Sequence, residues 1–229
     1  MADGVGNAGE RASALQAYAD ETSGCVRCAL SEERTQVVFG VGNPDADLMF
    51  VGEAPGFHED QQGIPFVGQA GKLLDKLLAE IGLQRSDIYI ANVLKCRPPQ
   101  NRDPLPEEIA SCESHLFRQI ELIQPKLVAT LGNFATKLLS GKPLGITRVH
   151  GHEQEVMLGS SRVLLYPLYH PAAALYTPSM LKVLEEDFAR IPELIARADV
   201  AVPVALAPGP PETIELPARE PEPVQLGLF

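Results

Sequence analysis

The sequence predicts an α/β protein in which helices cover both faces of a central, mainly parallel sheet of four strands. Two observations lead to this prediction. A chain of 229 residues that is 45% hydrophobic can bury one good-sized core, and short apolar runs alternate with helical patterns along it. Alternating strands and helices imply parallel strands joined by right-handed crossovers, which places helices on both sides of the sheet.

Four short apolar runs predict the buried strands. They are "DLMFVG" (47–52), "IYIANVL" (88–94), "KLVATLG" (126–132) and "VLLYPLY" (163–169). In sheets of this kind a ligand binds beyond the carboxyl ends of the strands. We therefore expect the chemistry of the protein in the loops that follow these four runs.

Four helical patterns lie between and after the strands, over 70–83, 106–123, 133–141 and 179–198. The first spaces its leucines three and four residues apart, and the second opens with a proline and two acidic residues, a typical helix start. The third begins at an asparagine and ends at a glycine, which are typical helix boundaries. The fourth closes the domain.

The two ends of the chain differ from the middle. Residues 1–24 are expected to form an N-terminal segment with a short helix, and residues 25–199 a single catalytic domain. Residues 200–229 include seven prolines between 201 and 223 and show neither helical nor strand periodicity. This composition predicts a disordered, semi-rigid tail.

Charge and composition narrow the classes of function. The net charge of −11 argues against a protein that coats nucleic acid through bulk electrostatics, although local groups of cations remain at 95–102 and 148–152. No run of about 18 apolar residues and no secretory signal pattern is present, so we expect a cytoplasmic protein without a membrane span. A monomer is the default expectation.

The four cysteines form a spaced set. Cys25 and Cys28 make a C-x2-C pair, followed after 67 residues by Cys96 and after 15 more by Cys112. In a reducing cytoplasm such a set binds metal more often than it forms disulfides. Zinc and a [4Fe–4S] cluster both accept four thiolates. The spacing favours the cluster, because zinc sites more often use two close pairs, but it leaves both open.

Three motifs follow predicted strands. They are "GEAPGFHEDQQGIPFVGQAGKLL" (52–74), "NVLKCRPPQNRDP" (92–104) and "YHPAAALYTP" (169–178). The segment "GQAGK" is too short for a phosphate-binding loop, which excludes a nucleotide triphosphatase of that type.

Together with the cysteines, these motifs closely resemble those of the family 4 uracil-DNA glycosylases, from about Cys25 to Ala198. The resemblance implies a three-layer α/β/α sandwich and a DNA repair enzyme that releases uracil and leaves an abasic site for base excision repair. It also implies that Cys25, Cys28, Cys96 and Cys112 hold a structural [4Fe–4S] cluster away from the excised base.

The resemblance assigns roles to residues that follow the strands. His170 would face uracil O2 and stabilise the departing anion, and Phe66 would stack on the ring. Asn92 would read the base, because its amide can donate to O4 while its carbonyl accepts from N3–H. Cytosine presents the opposite pattern at both positions, so a fixed amide would discriminate against it.

The first motif supplies further candidates. Glu59 occupies the position thought to crowd uracil C5 and exclude the methyl group of thymine. Gly52, Glu53 and Ala54 match the segment that positions the attacking water, and Gly56 lets the backbone approach the ligand closely. Ala54 stands where some branches of the superfamily carry a carboxylate or asparagine, so no dedicated general base is evident. Glu53 is a weak candidate, and positioning of the water by backbone groups is the alternative.

Candidate DNA contacts come from the second and third motifs and from "GITRVHG". We expect Arg148 in a DNA-facing basic loop, Leu175 as a wedge into the base stack, and Lys95 from the basic group after the second strand. Relatives often read "LLRNP" where this chain has "ALYTP", so an arginine contact to phosphate is missing here.

The chain ends in "QLGLF" (225–229), which resembles the pentapeptide that docks bacterial repair proteins on the sliding clamp. Gln225, Leu226, Leu228 and Phe229 would supply the polar and apolar anchors. A fully extended linker over 201–224 would span about 70 Å.

Two other functions compete with the glycosylase. The acidic charge and the missing arginine favour a non-catalytic, clamp-tethered iron–sulfur module that binds damaged DNA. The ambiguous cysteines allow a zinc-stabilised hydrolase of another small substrate. The combination of Asn92, Phe66 and His170 favours the enzyme that excises uracil.

Overall fold

A computed structural model describes residues 8–200 of the chain. Within them lie six strands: β1 (Val41–Gly42), β2 (Leu48–Gly52), β3 (Tyr89–Asn92), β4 (Leu127–Leu131), β5 (Gln154–Leu158) and β6 (Ser161–Leu168). They form one sheet in the order β1-β3-β2-β4-β6-β5. The four predicted strands are its central members β3, β2, β4 and β6, and all of their pairings are parallel.

The two edge strands are the difference from the predicted four-stranded sheet. β1 pairs antiparallel with β3, and β5 pairs antiparallel with β6. β1 is only two residues long, and most residues of β5 are exposed or half-buried. Neither segment therefore produces the continuous apolar run by which a buried parallel strand is recognised in a sequence.

The central strands are apolar throughout because both faces of the sheet are covered. All residues of β2 and β4 are buried. Along β2, Met49 and Val51 belong to the hydrophobic cluster on one face, while Leu48 and Phe50 belong to the cluster on the other. This alternation follows from the two-residue period of a strand and confirms the predicted arrangement of helices on both faces.

Ten α-helices are present in the described part of the chain, besides a short 3-10 helix at Pro99–Asn101: α1 (Ala8–Ser23), α2 (Leu30–Glu33), α3 (Phe57–Gln62), α4 (Gln69–Glu80), α5 (Pro106–Ile123), α6 (Asn133–Ser140), α7 (Ile146–Val149), α8 (Pro171–Ala174), α9 (Pro178–Ala189) and α10 (Ile191–Val200). The pattern over 179–198 corresponds to two helices, α9 and α10, rather than one. The break at Arg190 has a physical cause, because Pro192 lacks an amide proton and its ring would clash with the carbonyl of residue 188 in a continuous helix.

The predicted short helix of the N-terminal segment is the 16-residue α1, which packs on α5. Its Leu15 is buried in the core, and the hydroxyl of Tyr18 lies 2.7 Å from Nδ1 of His115 on α5. The predicted disordered tail, with its terminal pentapeptide, lies outside the described residues, apart from Val200, the last residue of α10. Within residues 8–200, no helix is long and apolar enough to cross a membrane.

Candidate active site

The loops that follow β2, β3 and β6 meet around a cavity of about 370 Å³. Seven of the predicted catalytic and substrate-binding residues line it: Glu53, Ala54, Gly56, Glu59, Phe66, Asn92 and His170. Its other lining residues are Pro55, Gly68, Gln69, Ala70, Pro98, Asn101, Arg102 and Ala172. The volume is in the range of small-molecule sites.

Asn92 is the last residue of β3 and lies on the floor of this cavity. Its side chain is 2% exposed, and its Oδ1 has no hydrogen-bond partner among the residues that the structure describes. Gly52 is its register partner on β2. A Cβ atom at Gly52 would lie 2.4 Å from Oδ1 of Asn92 and 2.7 Å from Cζ of Phe66. Only glycine leaves room for both side chains.

Phe66 adopts a left-handed backbone conformation, with φ of 55°, which a bulky residue rarely adopts without support. The support comes from Arg85, whose guanidinium donates to the carbonyl oxygens of Pro65, at 3.1 Å, and of Phe66. Asp75 fixes Arg85 through a 2.5 Å ion pair. The ring of Phe66 is stacked on that of His170, with centroids 5.6 Å apart.

His170 lies two residues after the end of β6 and is the N-cap of α8. Its Nδ1 accepts a hydrogen bond from the amide of Ala172, at 3.1 Å. A ring nitrogen that accepts carries no proton, so the proton of the neutral imidazole is on Nε2. Burial lowers the pKa of His170 to about 4, although the carboxylate of Glu59 opposes this shift. At neutral pH the ring is therefore an uncharged Nε2–H donor.

The carboxylate of Glu59 organises the neighbouring loop. Its Oε1 accepts from the amides of Val67 and Gly68, both at 2.9 Å. This holds α3 against the loop that carries Phe66 and fixes the carboxylate at the wall of the cavity.

Glu53 continues the sheet beyond β2, since its carbonyl accepts from the amide of Leu94 at 3.0 Å. Burial raises the pKa of its side chain, and Asp103 adds to the shift. Glu53 therefore retains a proton to higher pH than an exposed glutamate does.

The expectation that Lys95 contacts DNA is wrong. Its side chain is 1% exposed, and burial lowers its pKa to about 8. Nζ donates to the carbonyl oxygen of Asn92, at 2.8 Å, and to Oε1 of Gln119, at 2.5 Å. The cation points into the protein, behind the cavity. The other two candidates, Arg148 on α7 and Leu175 directly after α8, are exposed to solvent.

The four cysteines are free thiols in one region of the molecule. Arg34 donates both to the carbonyl oxygen of Cys25 and to Sγ of Cys96, and His115, which contacts Sγ of Cys25, lies one turn from Cys112 on α5. Within residues 8–200, no three His, Cys, Asp or Glu side chains are positioned to hold a single metal ion.

Three nitrogen atoms face the sulfur atoms of these cysteines. The amide of Lys95 donates to Sγ of Cys112, at 3.3 Å, and the guanidinium of Arg34 donates to Sγ of Cys96, at 3.5 Å. Nε2 of His115 lies 3.4 Å from Sγ of Cys25.

Sequence reasoning missed two groups of residues at the site. Asn101 and Arg102, with Pro98, line the cavity from the loop after β3. These residues could have been recognised from the sequence, because "RPPQNR" continues the motif that begins at Asn92. Arg85 could not have been recognised from the sequence. It binds backbone carbonyl oxygens about 20 residues away, and every residue type carries such an oxygen.

Comparison with known proteins identifies the family of the chain. The family described as "Uracil DNA glycosylase superfamily" matches residues 39–191. The type-4 uracil-DNA glycosylase of Sulfurisphaera tokodaii is 48% identical over 185 residues, which cover 79% of this chain and 84% of the relative. That of Archaeoglobus fulgidus is 48% identical, covering 77% and 91%, and that of Thermotoga maritima is 41% identical, covering 80% and 95%.

Proposed function

The chain belongs to the type-4 group of the uracil-DNA glycosylase superfamily, and on this premise we propose that it hydrolyses the N-glycosidic bond of deoxyuridine in DNA. The products are free uracil and an abasic site, as in base excision repair. The observation that carries this proposal is the meeting of an amide, an aromatic ring and a neutral imidazole, from Asn92, Phe66 and His170, at one cavity.

In the proposed mechanism, His170 stabilises the leaving group. When the bond to the sugar breaks, negative charge develops on the ring oxygens of uracil. The Nε2–H of His170 donates to O2 as this charge forms, and a fixed donor in a site that excludes water is worth more than the same donor in water. The stack of His170 on Phe66 supports this orientation.

Asn92 supplies the specificity for uracil. Its buried Oδ1 accepts from N3–H of uracil, and its NH2 group donates to O4. Cytosine would leave both groups buried without partners, at a cost of about 1–3 kcal/mol each. Phe66 provides the face on which the extruded base stacks.

Residues of the first motif complete the pocket in this proposal. The carboxylate of Glu59, which two amides hold in place, excludes the methyl group of thymine. Gly52, Glu53 and Ala54 position the attacking water mainly through backbone groups. Gly56 lets α3 begin close to the base. On the DNA side, Arg148 contacts the backbone and Leu175 inserts into the base stack.

We further propose that Cys25, Cys28, Cys96 and Cys112 hold a [4Fe–4S] cluster. The closeness of the four thiols supports this, and so do the amide and guanidinium donors aimed at two of them, because such hydrogen bonds stabilise thiolate ligands. The cluster would supply structural support, joining the segment after α1 to β3 and α5.

Cleavage of a uracil-containing oligonucleotide tests the function. Incubation should produce alkali-labile sites at U opposite G and at U in single strands, and none at T, and the purified protein should be brown. A colourless, zinc-loaded and inactive protein would overturn both proposals. A brown protein that binds such DNA but does not cleave it would identify the non-catalytic module instead.

For the tail, we propose that Gln225, Leu226, Leu228 and Phe229 dock a monomeric, cytoplasmic enzyme on the bacterial sliding clamp. The support is the resemblance of "QLGLF" to the clamp-binding pentapeptide. Deletion of residues 225–229 should abolish clamp binding and leave cleavage of a short oligonucleotide intact. Unchanged affinity for the clamp would refute this assignment.

A further inference from the structure

An aromatic side chain stands at the rim of the cavity without a role in the scheme above. Phe57 is the first residue of α3 and directly follows Gly56, which lines the cavity. Its side chain is 52% exposed. Exposed aromatic rings cost free energy in water, and beside a nucleic-acid site they commonly stack on bases.

Arg97 completes the rim beside Phe57. Its guanidinium lies over the ring, 5.2 Å from the ring centroid, and its Nε donates to Oδ1 of Asn101 at 2.7 Å. Asn101 lines the cavity. The contact of Arg97 with Phe57 therefore joins the segment after β3 to the segment after β2 at the mouth of the cavity.

The charge of Arg97 is available to a ligand. In the described part of the chain Arg97 makes no ion pair, whereas its neighbour Arg102 is bound to both carboxylate oxygens of Glu108, at 2.6 and 2.9 Å. A guanidinium stacked on an aromatic ring and not neutralised by a carboxylate attracts both the face of a nucleobase and a phosphodiester.

We propose that Phe57 and Arg97 form a rim platform that binds the nucleobase next to the excised uracil in the same strand. This inference rests on the proposed function. Extrusion of uracil into the cavity separates it from its stacked neighbour, and the platform lies beside the mouth through which uracil enters. Stacking there compensates for the phosphate contact that "ALYTP" lacks.

Fluorescence of 2-aminopurine tests the platform in the full-length protein. The probe is a single-stranded oligonucleotide in which 2′-fluoro-2′-deoxyuridine resists hydrolysis and 2-aminopurine occupies its 5′ or its 3′ side. Binding should quench the fluorescence on one of the two sides. Phe57→Ala should remove that quenching and weaken binding at least about fivefold, and Arg97→Gln should weaken binding as well. Phe57→Tyr should retain both properties.

The control variant is Met157→Ala, which removes another large exposed apolar side chain, 63% exposed, from the edge strand β5 and should change neither property. The inference would be overturned if wild type and Phe57→Ala quenched 2-aminopurine equally at both the 5′ and the 3′ position. It would also be overturned if Met157→Ala reduced quenching and binding as much as Phe57→Ala.

Cleavage kinetics separate this inference from the proposed function. On an ordinary uracil substrate Phe57→Ala should lower kcat/KM, and replacement of the flanking nucleotide by an abasic analogue should make wild type and variant equal. A loss that persists with the abasic flank would place Phe57 in the cavity itself and contradict the platform. Failure of wild type to cleave any uracil substrate would instead overturn the proposed function.

Discussion

His170 derives its tautomer from its position at the junction of β6 and α8. Since the amide of Ala172 donates to Nδ1, the Nε2 proton is available to a leaving group. His170→Ala should lower kcat by about 10²–10³-fold, the usual cost of losing a fixed donor of this kind, and should weaken binding of a uracil oligonucleotide far less. The exposed His152 provides the control, because His152→Ala should leave kcat unchanged. Equal losses in rate and affinity for His170→Ala would contradict the role.

The depressed pKa of His170 also links it to stability. Its pKa of about 4 in the folded protein lies below the ordinary value of 6.5, so the unfolded chain binds more protons between these values. The neutral ring contributes fully to the free energy of unfolding above pH 6.5. This contribution is lost as the pH falls from 6.5 towards 4. Urea unfolding at pH 7 and pH 5 should show a larger loss for wild type than for His170→Ala, by at most about 2 kcal/mol. Identical losses would show that the pKa is not depressed.

Gly52 is the residue whose lack of a side chain shapes the cavity. Gly52→Ala would bring a methyl group within 2.4 Å of Oδ1 of Asn92 and 2.7 Å of Cζ of Phe66, and one of the two must shift. We expect kcat/KM to fall at least about tenfold, in line with the sensitivity of catalysis to small displacements. Gly145→Ala is the matched control, since Gly145 has an ordinary φ of −74° and an added Cβ would lie no closer than 4.0 Å to Oγ1 of Thr147. Full activity of Gly52→Ala would refute the proposed pocket geometry.

At the scale of elements, Arg85, in the loop after α4, connects the middle of that helix, through Asp75, to the loop that presents Phe66. Without its hydrogen bonds, the left-handed conformation of Phe66, which costs about 1–3 kcal/mol, has less support. Arg85→Met should therefore raise KM about tenfold and change kcat less, because the stacking face becomes mobile while His170 stays in place.

Arg118→Met is the control for Arg85→Met, because Arg118 also makes an ion pair with a nearby carboxylate, at 3.2 Å to Glu121, but on the exposed side of α5. A change confined to kcat in Arg85→Met would argue against a positioning role.

The central strands and long helices could be predicted from the sequence because buried parallel strands and amphipathic helices leave apolar patterns. The edge strands could not, since β1 has only two residues and four of the five residues of β5 are exposed or half-buried, so β5 leaves no continuous apolar run. The strand-end motifs also led to the residues around the cavity. A lysine in a basic stretch is normally exposed, and nothing local in the sequence shows that Lys95 is buried against Gln119, 24 residues away.

At the scale of the whole molecule, Lys95 connects the cysteine site to the base-binding cavity. Its amide donates to Sγ of Cys112, and its Nζ donates to the carbonyl of Asn92. Lys95→Met removes the second link and leaves two buried acceptors without a donor, so the free energy of unfolding should fall by about 1–3 kcal/mol. Cleavage should weaken, while the visible spectrum should persist because the amide remains.

Lys142→Met is the matched control, since Lys142 makes the same kind of bond, 2.9 Å to Oε1 of Gln154, on the surface. It should change neither stability nor activity. Unaltered stability of Lys95→Met would show that the buried network contributes nothing to the fold.

The contacts assigned to Asn92 and Phe66 involve the base alone and not the sugar. They are therefore unchanged when the glycosidic bond has broken, and the departing pyrimidine still satisfies the buried Oδ1 of Asn92. In the proposed scheme, the recognition that selects the lesion thus also retains the excised product, and we expect free uracil to compete with DNA for the cavity.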